Sequence, residues 1–386
     1  MTARVDSPAP PSASPPPRPA AAIADARLSL PSRRGDGSVV QWILVGARGQ
    51  VGSALREQCA ALAPGLARDG LALRLRAAFD RRGFAAAPAG LDPRALDGAW
   101  LARSAGDWSR LRARLAGEAV PTVIVDCTAS DAVAAGYEDW LAAGCGIVTA
   151  NKLANAGSLA RWRRLHALAA AHGSPYHYET TVGAALPLLG SVRALVARGE
   201  APTRFEAVLS GSLSYLLAQV QRGLSFSAAV AQAQALGLTE PDPREDLECR
   251  DLVRKLLILA RSAGAGLEPS QIEVVPLVDA AAPRIEAMDV RWDARVRQAQ
   301  ARGERLAVVA EFEHGRGRIG VRALAPEHPL ARLAPGENLV RLWTPVHAQV
   351  PIAIGGPGAG PEVTAAGVLG DVLEAAHALQ ARAARA

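Results

Sequence analysis

Residues 39–45 (Val39-Val40-Gln41-Trp42-Ile43-Leu44-Val45) form a short apolar run that stops at Gly46. From Val51 onward, apolar residues recur at helical spacing: Val51, Leu55, Cys59 and Leu62. A buried strand that turns through glycines into a helix must be followed by a parallel neighbour if the helix is to pack back on the sheet, so this feature restricts the fold more than any other. The rhythm repeats. Residues 71–79 run into an apolar end before Asp80, and 120–126 and 146–150 are two further apolar runs separated by helical segments. This order predicts an α/β fold with a doubly wound parallel sheet over 39–184. Beyond it, alternation in 204–210 and 305–323, with a long helix near 250–262, predicts a second unit of α+β class over 185–340. The last segment, 341–386, sets Gly355, Gly356, Gly358 and Gly360 ahead of an apolar helix carrying Val368, Leu369, Val372 and Leu373.

Residues 1–38 are rich in proline, alanine and serine and hold almost no bulky apolar side chain, so a disordered tail is expected there. It carries Asp6, Asp25 and Asp36, which an organelle transit peptide would avoid. The chain has neither a secretory signal nor an 18-residue uncharged apolar stretch, which argues against membrane and export roles. Its net charge of +6 is spread without basic clusters interleaved with aromatics, so nothing points to nucleic acid. Cys59, Cys127, Cys145 and Cys249 have no metal-ligand or CxxC spacing, and a reducing cytoplasm is the expected location.

The turn after the first strand reads Gly46-Ala47-Arg48-Gly49-Gln50-Val51-Gly52. Glycines there let backbone approach a pyrophosphate held at a helix N-terminus, and the fingerprint is matched as Ala47-x-Gly49-x-x-Gly52 with an alanine in its first position. After the second strand comes Asp80-Arg81-Arg82. A carboxylate there favours ribose hydroxyls and NAD, whereas guanidiniums favour a 2′-phosphate and NADP; two arginines outnumber one acid, so NADP is expected, with NAD as the alternative. Thr128 and Ser130, after the third strand, either meet the nicotinamide half or cap a helix. Of the 43 lysines and arginines only Lys152 and Lys255 are lysine. Arginine cannot replace an amine whose proton must move, because guanidinium stays charged. Asp251 lies four residues before Lys255 on a largely apolar helix, so the two are neighbours, suited to holding and protonating a developing alkoxide.

Four stretches together resemble the homoserine dehydrogenase family, particularly the dehydrogenase half of bifunctional aspartate kinase–homoserine dehydrogenases. They are Ile147-Val148-Thr149-Ala150-Asn151-Lys152, Tyr178-Glu179-Thr180-Thr181-Val182-Gly183-Ala184, Leu209-Ser210-Gly211-Ser212-Leu213-Ser214-Tyr215, and 237–255. The resemblance implies a Rossmann-type domain completed by the C-terminal segment, a substrate-binding and dimerisation domain between, and a homodimer or homotetramer. The implied reaction is NAD(P)-linked interconversion of L-homoserine and L-aspartate 4-semialdehyde, in threonine, methionine and isoleucine biosynthesis. It also implies Lys255 as proton donor with Asp251 beside the same oxygen, and Lys152 bridging cofactor and substrate. Glu240, Asp246, Gly211 and Ser212 would line the substrate pocket, with Glu240 receiving the ammonium. Gly237 and Gly358 would contact the cofactor, and the carbonyls of Glu179, Val182, Ala184 and Leu186 would hold Na+ or K+. Leu238 and Ala185 depart from the family pattern, where tyrosine and glycine are common. The length leaves no room for an appended kinase or regulatory domain, so no threonine feedback through one is expected. The rival readings are a dehydrogenase of another small amino-acid semialdehyde and a non-catalytic NAD(P)-binding relic.

Overall fold

The computed structural model describes residues 38–96, 101–102, 120–239, 242–279 and 284–385. The expected tail therefore lies outside the described residues except for Ser38, as does Glu240.

The first unit is a seven-stranded sheet. Its strands are β1 (Ser38–Val45), β2 (Leu71–Phe79), β3 (Gly83–Ala86), β4 (Leu101–Ala102), β5 (Thr122–Asp126), β6 (Gly146–Thr149) and β7 (Tyr176–His177). They run in the order β4-β3-β2-β1-β5-β6-β7. β1, β2, β5, β6 and β7 are parallel, and β3 and β4 add an antiparallel edge. The helices of this unit are α1 (Gln50–Arg68), α2 (Asp131–Ala134), α3 (Tyr137–Ala142) and α4 (Leu159–His172).

The reason β1 is apolar over most of its length is visible in its two faces, since side chains alternate along a strand. Val40, Trp42 and Leu44 enter a core with Leu55 and Cys59 of α1, whereas Ile43 and Val45 enter another with Val133, Tyr137, Trp140 and Leu165. Strand order reverses between β1 and β5, which opens a crevice at their carboxyl ends.

The second unit is a six-stranded sheet, order β13-β12-β8-β10-β11-β9. Its strands are β8 (Arg204–Val208), β9 (Ile272–Val274), β10 (Arg305–Glu313), β11 (Arg316–Leu324), β12 (Glu337–Trp343) and β13 (Ile352–Pro357). Its helices are α5 (Leu188–Ala197), α6 (Gly211–Gln221), α7 (Phe226–Ala235), α8 (Arg244–Leu247), α9 (Arg250–Ser262) and α10 (Asp289–Ala301). Phe205, Ala207, Val308, Phe312, Val340 and Leu342 turn toward these helices and share a core with Leu216, Phe226, Leu256 and Trp292. The intervening residues face away. Glu206, 3% exposed, is ringed there by Arg204, Arg322, Arg341 and His328.

The boundary expected at 340 falls inside β12. That strand pairs antiparallel with β8, and β13 pairs with β12, so the second sheet runs on to Pro357. The alternation of Val340 and Leu342, both fully buried, is what ties the strand to this sheet. Only α11 (Pro361–Ala383) crosses back, laying Val368, Leu369, Val372 and Leu379 against α1, β5 and β6. The nucleotide-side core is thus completed by residues from the far end of the chain. Leu379→Ala should cost about 2–5 kcal/mol, since Leu379 is 1% exposed. Chemical denaturation of the variant checks this, with loss of the first unit's signal expected before that of the second.

Candidate functional site

The glycine turn after β1 is built by contacts too close for side chains. Gly46 has φ +85, and a Cβ on it would lie 2.7 Å from the Cys127 carbonyl oxygen; a Cβ on Gly52 would lie 2.2 Å from the Gly46 carbonyl oxygen. Both positions require glycine. Ala47 is fully buried, and its amide joins that of Gly46 on the Phe79 carbonyl at 2.9 and 2.8 Å. The left-handed glycine of the turn is therefore Gly46, which is why alanine at 47 leaves the turn intact. Gly49 caps α1 without a side chain, so the amides of the first turn, at Gln50, Val51 and Gly52, lack a side-chain acceptor and offer the helix's positive end to an anion.

A cavity of about 660 Å³ opens over this turn, lined by Arg48, Gly49, Asp80, Arg81, Arg82, Thr128 and Ser130 among others. Asp80 spends Oδ1 on the amides of Arg82 and Gly83, at 2.6 and 2.8 Å, and its Oδ2 lies 3.9 Å from Arg48 Nε. Its carboxylate is therefore largely engaged within the turn, whereas Arg81 and Arg82 are exposed. Three guanidiniums around a glycine cradle fit a dinucleotide with charged groups at both pyrophosphate and ribose.

The hydroxyls of Thr128 and Ser130 have structural partners. Thr128 Oγ1 donates to Asp126 Oδ1 at 2.6 Å, and Ser130 Oγ accepts the Val133 amide at 3.4 Å, capping α2. Asp126 itself is fully buried and also accepts from the Thr128 amide, the Tyr137 hydroxyl and Asn151 Nδ2. Sequence reading passed over it as a strand end; its only signal was a lone carboxylate closing an apolar strand.

The loop after β6 and the start of α9 bring the two lysines together. Asp251 Oδ1 lies 3.3 Å from Lys152 Nζ and Asp251 Oδ2 lies 2.8 Å from Lys255 Nζ. Lys255 Nζ also donates to the Leu209 carbonyl at 2.7 Å. That contact passes to the head of α6, where Ser212 Oγ donates to Asp246 Oδ1 at 3.2 Å and Ser210 Oγ caps the helix. Gly211 opens this helix. Burial in the crevice would push the Asp251 carboxyl up, although 43% of its side chain meets solvent; the flanking ammoniums outweigh it and hold the carboxyl well below the usual range. For Lys152 burial wins, and its ammonium is held below the usual lysine range despite Asp251.

Other expected site residues lie elsewhere. Gly237, with φ +67, follows α7 and is exposed, and it is not among the residues lining the nucleotide cavity. Gly358 is likewise not among them: it follows β13 packed on Asn338, where a Cβ would meet that side chain at 2.0 Å. In the 179–186 loop, the Glu179 and Leu186 carbonyls accept backbone amides, while those of Val182 and Ala184 accept none among the described residues. Those oxygens suit a monovalent cation. The Glu179 carboxylate does not join them: it caps α5 through the Leu189 and Gly190 amides, both at 2.6 Å. Behind the loop, His177, Asp371 and Glu374 bring ligand-type atoms within 4.8 Å, but Asp371 accepts the Glu179 amide and His177 pairs with Glu374.

A family model described as homoserine dehydrogenase, NAD binding domain, matches residues 48–179, and one described as homoserine dehydrogenase matches 187–373. The chloroplastic bifunctional aspartokinase/homoserine dehydrogenase 1 of Zea mays is 40% identical over 263 residues, 65% of this chain and 29% of that protein. The chain thus spans about a third of the length of the curated relatives it matches. A crystal structure of a Candida auris protein of unknown function superposes with a TM-score of 0.79 at 31% identity, over 88% of this chain and 98% of the other. A hyperthermophilic archaeal homoserine dehydrogenase in complex with NADPH gives 0.70 at 24% identity, over 87% and 97%, a likeness of fold.

Gly52→Ala places a methyl where the Gly46 carbonyl stands. The variant should bind NADPH at least about tenfold more weakly, a loss of about 1.4 kcal/mol, and melt at lower temperature. Fluorescence titration and thermal unfolding check both.

Proposed function

Because the chain belongs to the homoserine dehydrogenase family, we propose that it interconverts L-homoserine and L-aspartate 4-semialdehyde, using NADP in preference to NAD. The observation that carries this reading is the Lys152–Asp251–Lys255 group beside the strand ends of the nucleotide cavity. In the reductive direction the nicotinamide, when bound, supplies hydride to the aldehyde carbon. As the carbonyl pair collects on oxygen, Lys255 gives that oxygen a proton. An ammonium has three N–H bonds; the Leu209 carbonyl and Asp251 take two, which leaves the third for the substrate. Lys255 then regains its proton from solvent, and in the oxidative direction it accepts the hydroxyl proton.

Two ammoniums around one carboxylate leave one positive charge, opposite in sign to the charge that grows on oxygen. Lys152, on the loop after β6, is assigned to bridging cofactor and substrate, its place beside Asp251 supporting that role. Asp246, held by Ser212, and Glu240 are assigned to the substrate ammonium. The engaged Asp80 and the exposed Arg81 and Arg82 favour a 2′-phosphate. A monovalent cation, Na+ or K+, is assigned to the 179–186 carbonyls as a structural ion.

We infer self-association through the second unit, whose β12–β13 connection leaves Val346 and Val350 72% and 76% exposed. No helix among the described residues is long and apolar enough to cross a membrane. Four free cysteines favour a reducing compartment, the cytoplasm.

The test is oxidation of L-homoserine with NADP and with NAD, run on the wild type and Lys255→Arg. The wild type should turn over, faster with NADP at equal concentrations. Arginine keeps the charge but does not release its proton, so the variant should lose about 10²- to 10⁴-fold in kcat while still binding NADPH. Near-full turnover by Lys255→Arg would pass the proton role to Asp251 with a water.

A further inference from the structure

The fully buried carboxylate at the end of β5 has no place in the chemistry so far, yet it touches both loops that frame the crevice. Asp126 Oδ1 accepts the Thr128 amide at 2.8 Å and the Thr128 hydroxyl at 2.6 Å. Oδ2 accepts the Tyr137 hydroxyl at 2.7 Å and Asn151 Nδ2 at 3.0 Å. Each oxygen thus takes two donors, the full capacity of an ionised carboxylate. Tyr137 is fully buried and stays protonated, because burial and the nearby Asp126 charge push its hydroxyl well above the usual range. Its hydroxyl also lies 2.7 Å from Thr149 Oγ1, so it gives its proton to Asp126 and accepts from Thr149.

Asn151 completes the tie. Its Nδ2 donates both to Asp126 and to the Ser130 carbonyl at 3.0 Å, its Oδ1 accepts the Leu153 amide at 3.1 Å, and its amide bonds Thr149 Oγ1 at 2.9 Å. Parallel strands β5 and β6 separate after their last paired residues, Asp126 and Thr149, and the chains beyond would otherwise be independent loops. One of them, 127–130, lines the nucleotide cavity; the other carries Lys152 to within 3.3 Å of Asp251.

We propose that Asp126, working through Asn151 and Thr128, is a positioning residue that fixes the nucleotide-side loop and the Lys152 loop relative to each other. One carboxylate thereby sets the relation between the cofactor's nicotinamide side and the amine next to the substrate. This rests on the reading of the site as a nicotinamide-linked dehydrogenase. A buried network of this kind rigidifies when every member is satisfied, and loses its alignment when one donor is left facing another.

Asn151→Ala removes the tie between the loops and leaves Asp126 three of its donors. Misplacement by an ångström is enough to cost about 10- to 100-fold in rate, so kcat for homoserine oxidation should fall by that factor while the Kd for NADPH changes less than about threefold. Asp126→Asn, which turns an amide group toward donors, should both lower kcat and raise the Kd for NADPH. Asn151→Asp, which keeps the Leu153 contact but loses the donors to Asp126 and Ser130, should resemble Asn151→Ala rather than the wild type. Active sites are counted by NADPH titration, so kcat refers to competent enzyme. If Asn151→Ala lowers only the melting temperature or the fraction of competent sites, with kcat and KM per site unchanged, the residue is merely structural and the proposal is overturned. Should Asp126→Asn fail to fold, Asn151→Ala decides alone. NADPH titration of Asp126→Asn reads the cofactor half without turnover: if the wild type binds NADPH but does not oxidise homoserine, the substrate reading fails, while an unchanged Kd in folded Asp126→Asn would overturn the positioning role itself.

Discussion

Everything at the site depends on one carboxylate shared by two amines. Asp251 stands on the first turn of α9, in the second unit, and its two oxygens divide between Lys152 from the first sheet and Lys255 from its own helix. Two amines side by side in a half-buried crevice would repel each other; the carboxylate between them offsets that repulsion and holds them at fixed separation. Paired ions removed from water gain little net stability. On the proposed mechanism, what the arrangement provides is a placed proton and a residual positive charge, which a well-packed apolar substitute could not supply.

The rest of the fold can be read as the means of holding that group. α9 is fixed by Leu252, Leu256, Leu257 and Ile258 in the core of the second unit, and Cys249, with φ +60, makes the sharp turn from α8 into it. Lys152 is fixed through Asn151 to the ends of β5 and β6. α11, crossing back from the second sheet, closes the face of the first sheet opposite α3 and α4. The aromatic cluster of Trp162, Tyr176 and Tyr178 joins α4 to the segment that leads into the second unit. The two sheets are thus joined both by chain and by packing.

Much of this was legible in the residues. The short apolar runs announced buried strands, and β1, β2, β5 and β6 fall close to where they were expected. The rarity of lysine singled out Lys152 and Lys255, because in an arginine-rich chain a retained lysine asks for a reason, and they meet at one aspartate. Other features depend on pairings that a one-dimensional pattern does not carry. Val340 and Leu342 alternate like any half-buried strand, and only their pairing with β8 assigns them to the second sheet. Ala47 read as a defect in the glycine fingerprint because the turn's left-handed residue sits one place earlier, at Gly46. For Thr128 and Ser130 the sequence left open contact with the nicotinamide half or helix capping, and only the structure shows Ser130 capping α2 and Thr128 bonded to Asp126.

The central claim is that Asp251 holds the two amines in register, and Asp251→Asn tests it most directly. The change is nearly isosteric, removes the charge, and leaves Lys255 its contact with the Leu209 carbonyl. Steady-state oxidation of homoserine should then show kcat reduced by about 10²-fold or more, with NADPH affinity nearly unchanged, because the charge that orders the proposed proton donor is gone while the glycine cradle is untouched. A variant that turned over at the wild-type rate across the neutral pH range would contradict the account.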